Sequence, residues 1–143
     1  GAFVASEAHM DLLYDNPKLG HITTFGGHPV IAAACLATLQ EITETNLMTE
    51  TLEKEKLFRK LLVHPLIKEV RGKGLMLAAM TKSPNITNEV ILRCHKRGLI
   101  LFWLLFEGTA IRITPPLTIS NQEIEEGCKL LLEVMDEVQA LNL

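Results

Sequence analysis

The sequence predicts an α/β fold, a sandwich in which helices cover a small, largely antiparallel sheet. Three observations predict it. Strand patterns come in pairs joined by short glycine-containing bends, which favour antiparallel neighbours. Helical apolar stripes stand between and after those pairs. The last helix carries its own start signal, with Ser120 and Glu123 spaced as a capping box.

Taken in order, residues 3–5 are apolar β-formers, and Gly1-Ala2-Phe3-Val4-Ala5-Ser6 reads as a strand that starts without preamble, as in a piece of a longer chain. A short helix is expected over residues 7–14 after a cap at Ser6, ending at Asn16-Pro17 because proline pushes its predecessor out of the helical region. Residues 20–28 are rich in Gly, Thr and His without apolar period, a loop. Pro29 opens the next helix, where its missing donor costs nothing. Ile31, Ala34, Cys35, Thr38, Leu39 and Ile42 share one face of it. A further helix is expected over residues 49–62, with Leu52, Leu57 and Leu61 inward, broken by Val63-His64-Pro65.

Residues 67–70 and 75–80 read as strands on either side of an Arg71-Gly72-Lys73-Gly74 bend. Residues 85–97 form a helix with Val90, Ile91 and Cys94 inward and Gly98 as its stop. The uninterrupted apolar run of residues 99–106 predicts a strand buried on both faces. Glu107-Gly108 then turns into a strand over residues 109–113, which Pro115-Pro116 ends. In the final helix Ile124, Cys128, Leu131, Met135 and Val138 recur at steps of four, three, four and three.

The chain has 143 residues, 48% hydrophobic and 22% charged, enough for one packed domain and marginal for two. Net charge is −3 with no basic run, so a nucleic-acid partner is not expected. No apolar run is long enough to span a bilayer and no signal peptide is visible, which makes the cytoplasm the expected location and a membrane partner unexpected. Cys35, Cys94 and Cys128 are far apart and sit at apolar helical positions, as buried thiols rather than a disulfide framework or zinc site. The five histidines show no metal-ligand spacing, and His64 and His95 read as helix-end residues.

Three segments hold chemistry-bearing residues. In His21-Ile22-Thr23-Thr24-Phe25-Gly26-Gly27-His28-Pro29, two hydroxyls and two glycines precede a helix, an arrangement open either to a phosphate or carboxylate or to an ordinary capping turn. Arg112 stands between Ile111 and Ile113 in an apolar strand, so it faces away from them. It either meets an anion or serves as a structural or exposed edge residue. Lys73, between glycines, has no pocket to lower its pKa and reads as part of a bend.

Together these segments resemble the class III pyridoxal-phosphate (PLP) aminotransferases, the group of the acetylornithine, ornithine and 4-aminobutyrate enzymes. Gly1-Ala2-Phe3-Val4-Ala5-Ser6 is similar to the stretch after that family's Schiff-base lysine. Thr23-Thr24-Phe25-Gly26-Gly27-His28-Pro29 resembles its Ser/Thr-Thr-Phe/Tyr-Gly-Gly-Asn-Pro loop, with His28 in place of the usual asparagine. Val70-Arg71-Gly72-Lys73-Gly74-Leu75-Met76 and Ile111-Arg112-Ile113-Thr114-Pro115-Pro116-Leu117 resemble two more family segments, in register.

The resemblance implies the small C-terminal domain of a fold-type I PLP-dependent transferase. Residues 1–28 would be a remnant of the large domain, and residues 29–143 the small domain with the long connecting helix. It implies that Thr24, with Thr23, meets the phosphate of PLP in the neighbouring subunit of a homodimer or other homo-oligomer. Arg112 would engage a substrate carboxylate or an acidic residue that guards it. The cofactor lysine, the aspartate at the pyridine nitrogen and the stacking aromatic would lie before Gly1, and Lys18 is in the wrong motif to replace the lysine. No catalytic residue is therefore expected in this chain, which should be inactive and hold no PLP by itself. The longer protein would move an amino group between an amino acid, ornithine-like or an ω-amino acid, and a 2-oxo acid. A related PLP aminomutase or decarboxylase shares these segments. From a different class, a free-standing binding or interaction domain is the alternative. A nucleotide-binding module lacks the P-loop it would need.

Overall fold

The computed structural model describes residue 1, residues 3–18 and residues 20–141; Ala2, in the expected N-terminal strand, lies outside them. The chain divides into two compact units, Gly1–Thr45 and Asn46–Leu143.

The first unit holds α1 (Glu7–Asp11) and α2 (Pro29–Glu44). The expected N-terminal strand does not form: residues 3–6 are irregular and exposed. The only ladder contact described in this unit is the isolated bridge Asp15↔Lys18, so an extended segment has no strand to pair with. Ser6 does not cap α1; its hydroxyl bonds His9 Nδ1 at 2.7 Å instead. Residues 20–28 are turns and coil, and Pro29 is the first helical residue of α2, as its fixed φ favours. The predicted face of α2 is only half realised. Cys35 and Ile42 are half-buried, but no residue of this 16-residue helix is buried.

The second unit is built on one four-stranded antiparallel sheet of order β1-β2-β4-β3. Its strands are β1 (Ile67–Lys73), β2 (Met76–Thr81), β3 (Phe102–Leu104) and β4 (Glu107–Ile113). Three helices accompany it: α3 (Leu47–Leu61), α4 (Pro84–Lys96) and α5 (Asn121–Gln139). Alternate residues of β2 and β4, namely Leu77, Ala79, Ile111 and Ile113, join the inward stripes of α4 and α5 in one core. That core includes Val90, Ile91 and Cys94, and Ile124, Cys128, Leu131, Met135 and Val138, every inward residue predicted for the two helices. Burial pushes the Cys94 thiol up to about 11 and the Cys128 thiol up to about 12, so both stay protonated as small apolar groups. Ser120 and Glu123 form the predicted capping box.

Three expectations for this unit are corrected. Strand β1 runs on through Arg71 to Lys73, so the bend is shorter than Arg71-Gly72-Lys73-Gly74 suggested. Its turn is fixed from α3: Arg59 donates from Nη2 to the Gly72 carbonyl at 2.8 Å, and the Gly74 N–H donates to Glu55 Oε2 at 2.6 Å. In α3 the buried residues are Lys54 and Phe58, while Leu57 and Leu61 are half-buried and Leu52 is exposed. The inward stripe is rotated because Lys54 finds a buried acceptor, which hydropathy alone does not foresee. Lastly, residues 99–106 do not make a doubly buried strand. Only Phe102–Leu104 is extended, on the sheet edge, and Leu105 and Phe106 are bare at the hairpin tip. An edge strand has a neighbour on one side only, and the turn that joins β3 to β4 takes the last two apolar residues.

Candidate functional site

Two groups of residues singled out by the sequence are described, one in each unit. In the first unit the chain folds tightly before α2. The Gly26 N–H donates to the Thr23 carbonyl and the His28 N–H to the Phe25 carbonyl, both at 3.1 Å. A Cβ at Gly26 would lie 2.9 Å from Thr23 Oγ1 and turn that hydroxyl aside, and Gly27 has φ 74°, a conformation glycine adopts most readily. Thr23 and Thr24 are exposed, and neither hydroxyl makes a hydrogen bond among the described residues.

His28 proves to be the N-cap of α2, a role its position did not announce. Its Nδ1 accepts from the Val30 N–H at 3.3 Å, so it takes the place asparagine would take as a capping acceptor. Pro29 has no N–H, and Val30 spends its own on His28. The helix start therefore offers an anion fewer donors than expected, and the threonine hydroxyls are the main polar groups left for one. Two unpaired hydroxyls over a glycine turn match the donor set that a phosphate ester of the PLP type accepts from.

In the second unit Arg112 is exposed while Ile111 and Ile113 are buried, as strand alternation predicts. Its guanidinium carbon stands 5.2 Å from the centroid of the Phe102 ring. No ion pair or hydrogen bond involves this side chain among the described residues. The contact follows from register: Phe102 is the partner of Arg112 across β3–β4, and Ala78 is its partner across β2–β4. The ring holds the guanidinium without neutralising it.

Sequence reasoning missed Phe102, because the run of apolar residues hid which of them pairs with Arg112. His95 supports the ring. It meets Phe102 edge-on with centroids 6.2 Å apart, and its Nε2 donates to the Leu101 carbonyl at 2.6 Å. Lys54 was also missed. Buried, it donates to the Leu117 carbonyl at 2.8 Å and to Glu50 Oε2 at 3.2 Å. Pro115 and Pro116 can donate no backbone bond, so this ammonium fixes the chain as it leaves the Arg112 strand. Among the described residues no cluster of His, Cys, Asp or Glu could hold a metal ion, and no helix is long and apolar enough to cross a membrane.

Comparison with known proteins bears on these groups together. The acetylornithine aminotransferase of Caldanaerobacter subterraneus subsp. tengcongensis is 33% identical over 97% of this chain, which covers 35% of that protein. The putrescine aminotransferase of Pectobacterium atrosepticum is 36% identical over 99% of this chain and 31% of its own length. The chain thus spans about a third of the curated relatives it matches. Two structures of the ornithine aminotransferase from Toxoplasma gondii align over 92% of this chain and 32% of theirs, at TM-scores of 0.75 and 0.73 and identities of 26% and 25%. The second of them has PLP at partial occupancy in its active site. A family model, Aminotransferase class-III, matches residues 1–135, and this chain belongs to that family.

Proposed function

We propose that this chain is the C-terminal portion of a PLP-dependent aminotransferase that moves an amino group between an amino acid, ornithine-like or an ω-amino acid, and a 2-oxo acid. The observation that carries the reading is Arg112: an exposed guanidinium, fixed by Phe102 and left without a carboxylate. An arginine held this way binds a planar carboxylate through two parallel N–H donors. Thr24, with Thr23, donates its hydroxyl to the phosphate of PLP held by a neighbouring copy. PLP, when bound, supplies the electron sink for breaking a bond at the substrate carbon. The chain's own residues bind and orient. The threonines fix the phosphate end, and Arg112 places the substrate carboxylate or is released to it from an acidic partner.

Residues 1–28 belong in this reading to the cofactor-binding large domain, and residues 29–143 to the small domain with its connecting helix. The assembly is a homodimer or other homo-oligomer in the cytoplasm. Helix α2 supports it: Val30, Ile31, Leu36 and Leu39 are exposed, and its first charged residue is Glu41. A helix apolar on most of its surface is covered in the working molecule.

The chain alone is inactive, since no lysine stands in the family's cofactor context. The test is to incubate the purified 143 residues with PLP, ornithine or 4-aminobutyrate and 2-oxoglutarate. Turnover no faster than with PLP alone is expected, and any excess that a borohydride-trapped lysine accounts for contradicts it.

A further inference from the structure

Arg112 keeps its place through a ring that itself needs holding. Phe102 lies on β3, the edge strand, so it has a strand neighbour on the β4 side alone, and it is 49% exposed. An exposed aromatic side chain on an edge strand has several orientations open to it unless something packs against it. Only some of them bring the ring to the guanidinium.

His95, in the last turn of α4, packs against that ring. The imidazole meets Phe102 and Trp103 edge-on, with centroids 6.2 Å away in both cases. Successive strand residues face opposite sides of a sheet, so a ring near both stands at the free edge of β3. Its Nε2 reaches the Leu101 carbonyl at 2.6 Å. A carbonyl only accepts, so Nε2 carries the proton, and the bond fixes the backbone next to Phe102. Helix passes directly into strand here, with the Leu99 N–H donating to the Cys94 carbonyl at 2.9 Å. His95 is itself exposed and outside the hydrophobic core, so core packing does not account for it.

We infer that His95 is a positioning residue for Arg112, acting through Phe102: it holds the ring 5.2 Å from the guanidinium carbon. A guanidinium already held loses less freedom on meeting a carboxylate than a loose one does. This rests on the carboxylate role proposed for Arg112 and adds a residue of α4 that tunes it.

The test is NMR on the 143-residue chain with F102L, H95L and H95Q, since glutamine keeps an N–H donor and leucine keeps only bulk. The Phe102 ring current shifts the Arg112 side-chain signals, by an amount defined by its loss in F102L. H95L is expected to remove most of that shift with the Ile111 and Ile113 methyl signals in place, and H95Q to retain most of it. Titrated with 2-oxoglutarate, the Arg112 signals should report binding about two- to fivefold weaker in H95L than in wild type, the worth of an exposed cation–π contact. A full shift in H95L overturns the role of His95. Equal losses in H95L and H95Q, core methyls displaced along with the shift, or no change in F102L overturn it as well. Wild-type Arg112 signals that ignore 2-oxoglutarate overturn the carboxylate reading instead, and the ring-current result still decides for or against His95.

Discussion

Gly72 and Gly98 both sit in the left-handed region, with φ of 113° and 87°, yet the fold asks different things of them. A Cβ on Gly72 would overlap the Met76 carbonyl oxygen, whereas one on Gly98 would meet nothing within 4 Å. Gly98→Ala then pays only for its backbone conformation, about 1 kcal/mol. Gly72→Ala adds a clash with backbone that cannot swing away, for a total of about 3 kcal/mol or more. Urea unfolding checks this through the midpoints, which should fall in the order wild type, Gly98→Ala, Gly72→Ala; equal losses contradict it. At this scale the sequence was legible where a residue's role is local. Gly98 as a helix stop and Ser120 as a cap need only their neighbours. Phe102 beneath Arg112 and Lys54 at the Leu117 carbonyl depend on register and on residues 63 positions apart, and no local pattern encodes either.

Among the elements, α5 shows how a local signal becomes a stability term. Hydrogen bonds from the Ser120 backbone and side chain hold the Glu123 carboxyl below its ordinary value of 4.5. A carboxyl lowered in the folded state stabilises the fold above its unfolded pKa, and that contribution is lost as pH falls through the folded pKa. Ser120→Ala is expected to cost about 1 kcal/mol at pH 7. It should also shrink part of the loss of stability as pH falls through the folded pKa of Glu123, because the hydroxyl donor is lost while the backbone N–H donor remains. Urea midpoints against pH for the two proteins check it, and parallel curves contradict it. Helices α4 and α5 were readable because each has a cap and a regular stripe. The sheet was less so: its paired strands were visible, but the edge place of β3 and the turn at Leu105-Phe106 follow from topology. In α2 the stripe was right as a pattern, although among the described residues only Cys35 and Ile42 of it are half-buried and none is buried.

For the whole molecule, α2 and the exposed Phe3, Val4 and Phe25 predict that the chain self-associates. Sedimentation should show oligomers whose fraction grows with concentration and falls for Leu36→Lys with Leu39→Lys; a clean monomer at high concentration contradicts it. The family was legible from four short segments in register, since each is tied to a turn, a helix start or a strand that the fold needs. Substrate identity was not, because the carboxylate role proposed for Arg112 fits many amino and 2-oxo acids alike. The central claim is that Thr24 and Arg112 complete an aminotransferase pocket. The most direct measurement grafts this chain onto the acetylornithine aminotransferase of Caldanaerobacter in place of its matching third, and reads PLP affinity and kcat/KM for the wild-type graft, Thr24→Val and Arg112→Gln. An active graft is predicted, with Thr24→Val weakening PLP about tenfold and Arg112→Gln lowering kcat/KM about tenfold to a hundredfold without changing PLP affinity. A graft whose PLP affinity and kcat/KM are the same in all three forms would contradict it.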